Sequence, residues 1–310
     1  MRVVYLGTPA AALAPLEALL ASEHEVVAVV TRPDRPRDHR GGAPAPSPVK
    51  RMALAAGVPV LQPSGGRDPE LVAQLADTGA DIGVSCAFGF LLPPPVLEAL
   101  PRGIINLHFS LLPAYRGAAP VQRALLDGVE VTGVCTFQVD EGMDTGPLLA
   151  CRQVPVLDGE DAGSLTARLA EIGADLVIET LGGLGSGSIQ PRPQPPGGSL
   201  APKVDPAEAE LDFKAPAERV VSAVRAFTPA PGAWTTFRGR RLKVSRAQAA
   251  RDGAGLAAGR LAVGTGGRLL VGAGDGAVEL VTVQPEGKRP MSGVEFARGA
   301  RLQEEEWLGT

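Results

Sequence analysis

Arg2-Val3-Val4-Tyr5-Leu6-Gly7 and Glu25-Val26-Val27-Ala28-Val29-Val30-Thr31 are the two runs whose reading decides the fold. Both are rich in β-branched residues, and the second is apolar from Val26 to Val30 without alternation. Continuous apolar runs of this kind indicate strands covered on both faces, as in a parallel sheet flanked by helices. Between them lie a turn, Gly7-Thr8-Pro9, and an Ala/Leu-rich stretch to about Leu20 with the composition of a crossover helix. Strand, helix and strand make the unit from which open α/β sheets are built.

The pattern repeats outward from this unit. A helix is expected near residues 68–77, strands at 81–86, 103–108 and 131–139, and a helix at about 161–181. Gly7-Thr8-Pro9 lacks the GxGxxG spacing that cradles a dinucleotide, so no nicotinamide cofactor is expected. Gly182-Gly183-Leu184-Gly185-Ser186-Gly187-Ser188, with Pro191-Arg192-Pro193-Gln194-Pro195-Pro196-Gly197-Gly198 after it, mixes flexible and extended composition and reads as a linker. Beyond it, a helix at 216–227 precedes short β-like runs at 234–237, 242–244, 269–271 and 278–283. The expected organisation is an α/β domain over residues 1–181, a linker over 182–204 and a small β-barrel domain over 205–310.

A chain of 310 residues is ample for two domains. Hydrophobic residues make up 45% and charged residues 21%, an ordinary globular composition. No apolar run reaches the ~18 residues of a membrane span, and the N-terminal run is too short for a signal peptide. Cys86, Cys135 and Cys151 are far apart and odd in number, without CxxC spacing. Neither a metal nor a disulfide framework is expected, and a reducing cytoplasm fits.

The net charge of −4 is unevenly spread. Residues 32–51 carry Arg32, Arg35, Arg37, Arg40, Lys50 and Arg51 against Asp34 and Asp38, a local +4. Residues 236–251 carry Arg238, Arg240, Arg241, Lys243, Arg246 and Arg251 with no acid, a local +6. Two basic islands on an acidic body can hold phosphates locally. Charge alone fits two solvated loops equally well.

Chemistry concentrates in two segments. Asn106 and His108 lie two apart on an expected strand, so they project to one face at its carboxyl end, where open α/β sheets place their sites. An amide beside an imidazole offers a donor for a developing oxyanion and a carrier for a proton, as acyl transfer requires. Asp140-Glu141-Gly142-Met143-Asp144-Thr145-Gly146-Pro147 follows another expected strand and could orient a histidine. Taken singly, an Asn-x-His pair is more often structural, and an Asp/Gly cluster is usually a turn.

Together, Asn106-x-His108-x-Ser110-Leu111-Leu112-Pro113 and Asp144-Thr145-Gly146 resemble the signature of the 10-formyltetrahydrofolate-dependent formyltransferases. The resemblance implies a Rossmann-like N-terminal domain with Asn106, His108 and Asp144 around the formyl carbon. It also implies a folate-binding loop at Ser110, Leu111, Leu112 and Pro113, and a pterin-lining loop holding Phe88, Gly89 and Phe90. The donor, 10-formyltetrahydrofolate, would be a co-substrate rather than a tightly bound cofactor.

The rest of the chain is similar to the branch of that family acting on methionyl initiator tRNA. Thr31-Arg32-Pro33-Asp34-Arg35-Pro36 with Pro46-Ser47-Pro48-Val49-Lys50 resembles its RNA-contacting loop. Ala201-Pro202-Lys203-Val204-Asp205, Arg225-Ala226-Phe227-Thr228-Pro229-Ala230-Pro231-Gly232 and Pro290-Met291-Ser292-Gly293 resemble its post-linker and OB-like barrel segments. The implied RNA contacts are Arg35, Arg37 and Arg40 in the loop and Arg240, Arg241 and Lys243 in the barrel, with the protein acting as a monomer in translation initiation. Three places depart from the pattern: thinner charge over 37–45, Ala11 where the family has Phe near the amino-acid pocket, and Ala230 where it has Trp. The rival expectations are the same chemistry on another amine, such as an amino-sugar nucleotide, and a non-catalytic RNA-binding protein on this scaffold.

Overall fold

The computed structural model describes residues 1–36, 44–253, 255–303 and 305–309. The chain divides into two units, one of residues 1–120, 131–154 and 166–201, the other of residues 121–130, 155–165 and 202–310. The elements in chain order are β1 (Arg2–Gly7), α1 (Leu13–Leu20), β2 (Glu25–Val30), β3 (Arg35–Pro36), β4 (Pro44–Ala45), α2 (Pro48–Ala55), β5 (Val60–Leu61), α3 (Leu71–Asp77), β6 (Ile82–Cys86), α4 (Pro94–Leu97), β7 (Ile104–His108), α5 (Pro120–Leu126), β8 (Val131–Gln138), β9 (Leu148–Pro155) and α6 (Ala162–Ser186). After them come α7 (Ala217–Phe227), β10 (Trp234–Phe237), β11 (Arg240–Ala250), β12 (Leu261–Val263), β13 (Leu269–Gly272), β14 (Ala277–Pro285), β15 (Met291–Ser292) and α8 (Gly293–Ala300).

The first unit is built on a seven-stranded sheet in the order β5-β2-β1-β6-β7-β8-β9. β1 pairs in parallel with both β2 and β6, and β6 pairs in parallel with β7. The order reverses between β1 and β6, which puts the crevice of an open α/β sheet at the carboxyl ends of β1, β6 and β7. Val3 to Leu6 and Ile82 to Cys86 are buried, with Ser85 the one polar side chain among them apart from the Tyr5 hydroxyl. Tyr5, fully buried, donates its hydroxyl to the Ala12 carbonyl at 2.6 Å. Burial pushes the neighbouring Cys86 thiol up to about 12, out of the reactive range.

The sheet is mixed rather than wholly parallel, because β7 and β8 run antiparallel. Burial of Thr132 to Phe137 made β8 legible as a strand, but burial on both faces does not report direction. A second correction concerns the cysteines: Cys135 on β8 and Cys151 on β9 form a disulfide, with Cα atoms 4.1 Å apart. Sixteen residues of sequence separation hid the pairing, which the adjacency of β8 and β9 creates. The bond runs against the reducing compartment expected from the cysteine spacing.

A third correction falls at the expected linker, since α6 continues through Gly182 to Ser186. Glycine costs a helix only about 1 kcal/mol relative to alanine and does not forbid it. Here it permits contact: a Cβ on Gly183 would meet Ile189 at 2.5 Å, and one on Gly173 would meet Leu107 at 2.6 Å. Residues 187–201 then stay with the first unit rather than joining two bodies freely.

The second unit holds an antiparallel sheet in the order β10-β11-β14-β13-β12, with β15 on β14. The C-terminal run ties its two edges. Gly309 N donates to Thr236 O on the β10 side, and Leu261 N donates to Glu306 O on the β12 side. That closes the sheet into a small barrel of the expected kind. α7 buries Val220, Val224 and Phe227 at helical spacing in the core formed with Leu242, Val244 and Val283.

Candidate active site

Asn106 and His108 lie on β7, in register with Phe137 and Cys135 of β8. His108 is 5% exposed and packs edge-on against Phe137 at 6.4 Å between ring centroids. Its Nε2 donates to the Tyr115 carbonyl at 2.8 Å. A carbonyl can only accept, so Nε2 carries the proton and Nδ1 is the reactive nitrogen. Nδ1 lies 3.6 Å from Asp144 Oδ2, close for electrostatics but too long for a hydrogen bond. Among the described residues the Asn106 carboxamide has no hydrogen-bond partner within the protein, which leaves it for a ligand.

The acidic loop divides its labour. Asp140 shapes the turn, accepting from Gly142 N at 3.1 Å and Thr145 Oγ1 at 2.8 Å. Asp144 faces the histidine from a left-handed backbone conformation, φ +54°, and accepts the Gly117 N–H at 2.7 Å. A Cβ on Gly146 would stand 1.8 Å from the Gln138 carbonyl, so only glycine lets the loop turn back this tightly.

The residues expected around folate separate into two groups. Ser110 is fully buried and donates its hydroxyl to Ala114 O at 2.6 Å, holding the 110–114 turn. Phe88 and Leu112 are core residues, 3% and 6% exposed. Leu111, Pro113, Gly89 and Phe90 stay accessible. Phe90 stacks at right angles on Phe88, 5.2 Å between centroids, and carries the Arg32 guanidinium over its other side at 4.8 Å. These loops flank the reversal point between β1 and β6, where Thr8 reaches the Phe88 carbonyl at 3.4 Å.

The basic islands are placed less completely. β3 and β4 pair as a short ribbon, with Arg35 opposite Ala45. Its base is tied by Lys50, which donates to Asp34 at 2.7 Å and to Gln62 at 2.7 Å. The Lys50 and Gln62 donors hold the Asp34 carboxyl below its usual value. Arg37 and Arg40 lie outside the described residues. Of the 32–48 segment, the described flanks are anchored by this ribbon and network. Beside the ribbon, Thr8, Arg32, Ser47 and Arg51 line a cavity of about 350 Å³. In the second unit Arg240, Arg241 and Lys243 are exposed on β11, and Arg241 stacks over Trp234 at 4.0 Å. Leu242 and Val244 alternate inward between them.

Sequence reasoning missed the Tyr115 carbonyl, the Gly117 N–H and Gln194, all of which touch the His108–Asp144 pair or its supports. The first two are backbone groups and leave no mark in residue type. Gln194 was hidden by its prolines.

Residues 1–181 match the family model described as formyl transferase, and residues 203–301 match the formyl transferase C-terminal domain. The chain belongs to the formyl transferase family. Within it, a methionyl-tRNA formyltransferase of Streptomyces coelicolor is 48% identical over 311 residues, covering all of both chains. Two solved structures show the same fold at lower identity. HypX of Aquifex aeolicus, solved with tetrahydrofolic acid, aligns with TM-score 0.63 at 18% identity, over 96% of this chain and 47% of its own. An N-formyltransferase of Helicobacter canadensis, solved with folinic acid and dTDP-3-aminofucose, aligns with TM-score 0.69 at 16% identity, over 91% and 98%.

Proposed function

We propose that this formyl transferase moves the formyl group of 10-formyltetrahydrofolate onto the α-amino group of methionyl initiator tRNA. The observation that carries the reading is the geometry of Asn106, His108 and Asp144 at the carboxyl end of the sheet, in a chain 48% identical over its whole length to a methionyl-tRNA formyltransferase. The low-identity likeness to an enzyme solved with an amino-sugar nucleotide carries fold alone.

The α-amine attacks the formyl carbon. The new C–N bond forms as the bond to N10 breaks, and one proton passes from the amine to the departing nitrogen. Charge develops on the formyl oxygen in between. The Asn106 N–H₂ is one donor for it. With Nε2 carrying the ring proton, Nδ1 becomes a second donor only once it takes a proton, and the 3.6 Å gap to Asp144 leaves that nitrogen open to an incoming group while the carboxylate stays beside the ring. Asp144 also stands where it can take the amine proton, directly or through a water. The exposed faces of Phe90, Leu111 and Pro113 suit a planar pterin.

For the acceptor, Arg35, Arg37 and Arg40 of the 32–48 segment and Arg240, Arg241 and Lys243 of β11 would meet phosphates, which position RNA without reading sequence. Translation initiation would set the protein in the cytoplasm. Among the described residues no helix is long and apolar enough to cross a membrane. The testing experiment supplies 10-formyltetrahydrofolate with either methionyl initiator tRNA or an amino-sugar nucleotide. Formyl-methionine in the first reaction alone is the expected result; formylation of the sugar alone would overturn the reading.

A further inference from the structure

The run from Arg192 to Ala201, whose composition is that of a linker, is a strap across the loops of the site. Arg192 exchanges backbone hydrogen bonds with Leu148 at 2.8 and 2.7 Å. Ser199 Oγ accepts from Tyr115 N at 2.9 Å, the Ser199 carbonyl accepts from Arg116 N at 2.9 Å, and Ala201 N donates to Arg116 O at 2.6 Å. Between residues 190 and 200 only Gln194 is drawn partly into the protein.

We infer that Gln194 is a positioning residue for Asp144. Its amide nitrogen donates to the Asp144 carbonyl and to the Gly146 carbonyl, both at 2.8 Å. Its amide oxygen accepts from Arg116 Nε at 3.0 Å and Nη2 at 2.6 Å. The orientation of the amide follows from these partners, since carbonyls need a donor and a guanidinium an acceptor. One side chain thus ties the loop that presents the Asp144 carboxylate to the loop that fixes its direction, for Gly117, whose N–H holds Oδ2, directly follows Arg116. Asp144 has a left-handed backbone conformation, uncommon for a residue with a side chain although aspartate adopts it more readily than most, and the two Gln194 bonds help to hold the loop in it. A carboxylate that takes a proton from the attacking amine must stand within hydrogen-bond reach of it, so small misplacement of Asp144 lowers turnover more than binding.

The inference rests on the reading of Asp144 as the catalytic carboxylate, and the test separates the two. Gln194→Ala, Gln194→Glu and Asp144→Asn are made singly, and Gln194→Ala is also combined with Asp144→Asn. Gln194→Glu fills the same volume and keeps an oxygen for Arg116, but turns an oxygen on the two carbonyls. Turnover, both Michaelis constants and the thermal midpoint are measured for each. Removing a supporting partner of a reactive group typically costs about 10–100-fold, and that loss is expected in kcat for both single variants at Gln194. Both Michaelis constants should stay within about threefold, and adding Gln194→Ala to Asp144→Asn should cost less than about threefold more.

Wild-type turnover in both Gln194 variants, beside a crippled Asp144→Asn, would overturn the inference and leave the site reading standing. An equal loss from Gln194→Ala in both backgrounds would mean that it acts elsewhere and would also overturn it. Failure of both Gln194 variants to fold would assign the residue to the fold alone, against the proposal. Near-wild-type turnover in Asp144→Asn would remove the site reading itself.

Discussion

His108, at the end of β7, faces Asp144 of the loop between β8 and β9, Nδ1 of the one 3.6 Å from Oδ2 of the other, and a backbone group holds each from behind. The Tyr115 carbonyl fixes the ring and the Gly117 N–H fixes the carboxylate. Tyr115 and Gly117 both take positive φ, +59° and +124°, so the loop between Ser110 and Pro120 is bent to deliver two opposite backbone groups to one pair of side chains.

Gly146 is expected to be as necessary as the residues that touch substrate. A Cβ there would meet the Gln138 carbonyl at 1.8 Å, a backbone atom that cannot swing aside. Gly146→Ala should displace the 140–147 loop, cost about 1–3 kcal/mol in urea unfolding and lower kcat towards that of an Asp144 variant. A folded Gly146→Ala protein with unchanged kcat would show that this close turn does not set Asp144.

The sequence carried the sheet further than the site. Val26 to Val30 and Ile82 to Cys86 are legible because strands largely buried on two faces are mostly apolar, without a regular polar alternation. β9 was missed: Leu148 to Pro155 is a half-exposed edge strand with Arg152 and Gln153 in it and has no unbroken apolar run. At the candidate site, Asn106, His108 and Asp144 could be singled out in the sequence because they are side chains in motifs that resemble the formyltransferase signature, and the structure brings His108 and Asp144 together. Gln194 was not, because its place depends on a strap whose Pro/Gly composition is the same whether it is tethered or free. Cys135 and Cys151 fall in the same class, since only strand adjacency brings them together.

In the second unit, Glu208 caps the short turn at Pro206–Ala209 and pairs with Arg123 at 2.6 Å. The Arg123 guanidinium first, and then the Asp205 N–H, hold its carboxyl at about 2, against an ordinary 4.5. A lowered carboxylate stabilises the fold fully above its unfolded value and loses that contribution as pH falls through the folded value. The urea midpoint of Glu208→Gln should therefore lie below wild type at pH 7, by an amount within the ~1 kcal/mol of a half-exposed pair. The difference should shrink steadily as pH drops below 4.5 towards 2. A difference that stays constant from pH 7 to pH 3 would assign the effect to packing.

Arg240, Arg241 and Lys243 line one exposed stretch of β11, so their contribution to RNA binding should be electrostatic. Each phosphate contact releases counterions, and log affinity should fall with log salt by about 0.7–0.9 per contact. Arg240→Glu with Arg241→Glu should weaken tRNA binding and flatten that slope, read by filter binding across a salt series. Unchanged affinity would make the stretch a solvated face.

The 32–48 segment makes a separate expectation. Arg37→Ala with Arg40→Ala should raise the Michaelis constant for methionyl initiator tRNA and leave that for folate unchanged. Replacing residues 37–45 by a few glycines distinguishes a working loop from a surface insertion. Full activity on tRNA after that replacement would place the choice of acceptor on the C-terminal unit alone.

The most direct test is single-turnover formyl transfer from 10-formyltetrahydrofolate to methionyl initiator tRNA by wild type, Asn106→Ala, His108→Ala and Asp144→Ala, each with a wild-type circular dichroism spectrum and melting transition. Removal of one preorganised donor typically costs about 10²–10³-fold in turnover, and losses of at least that size are predicted for all three. A folded Asp144→Ala protein that forms formyl-methionine at close to the wild-type rate would contradict the account.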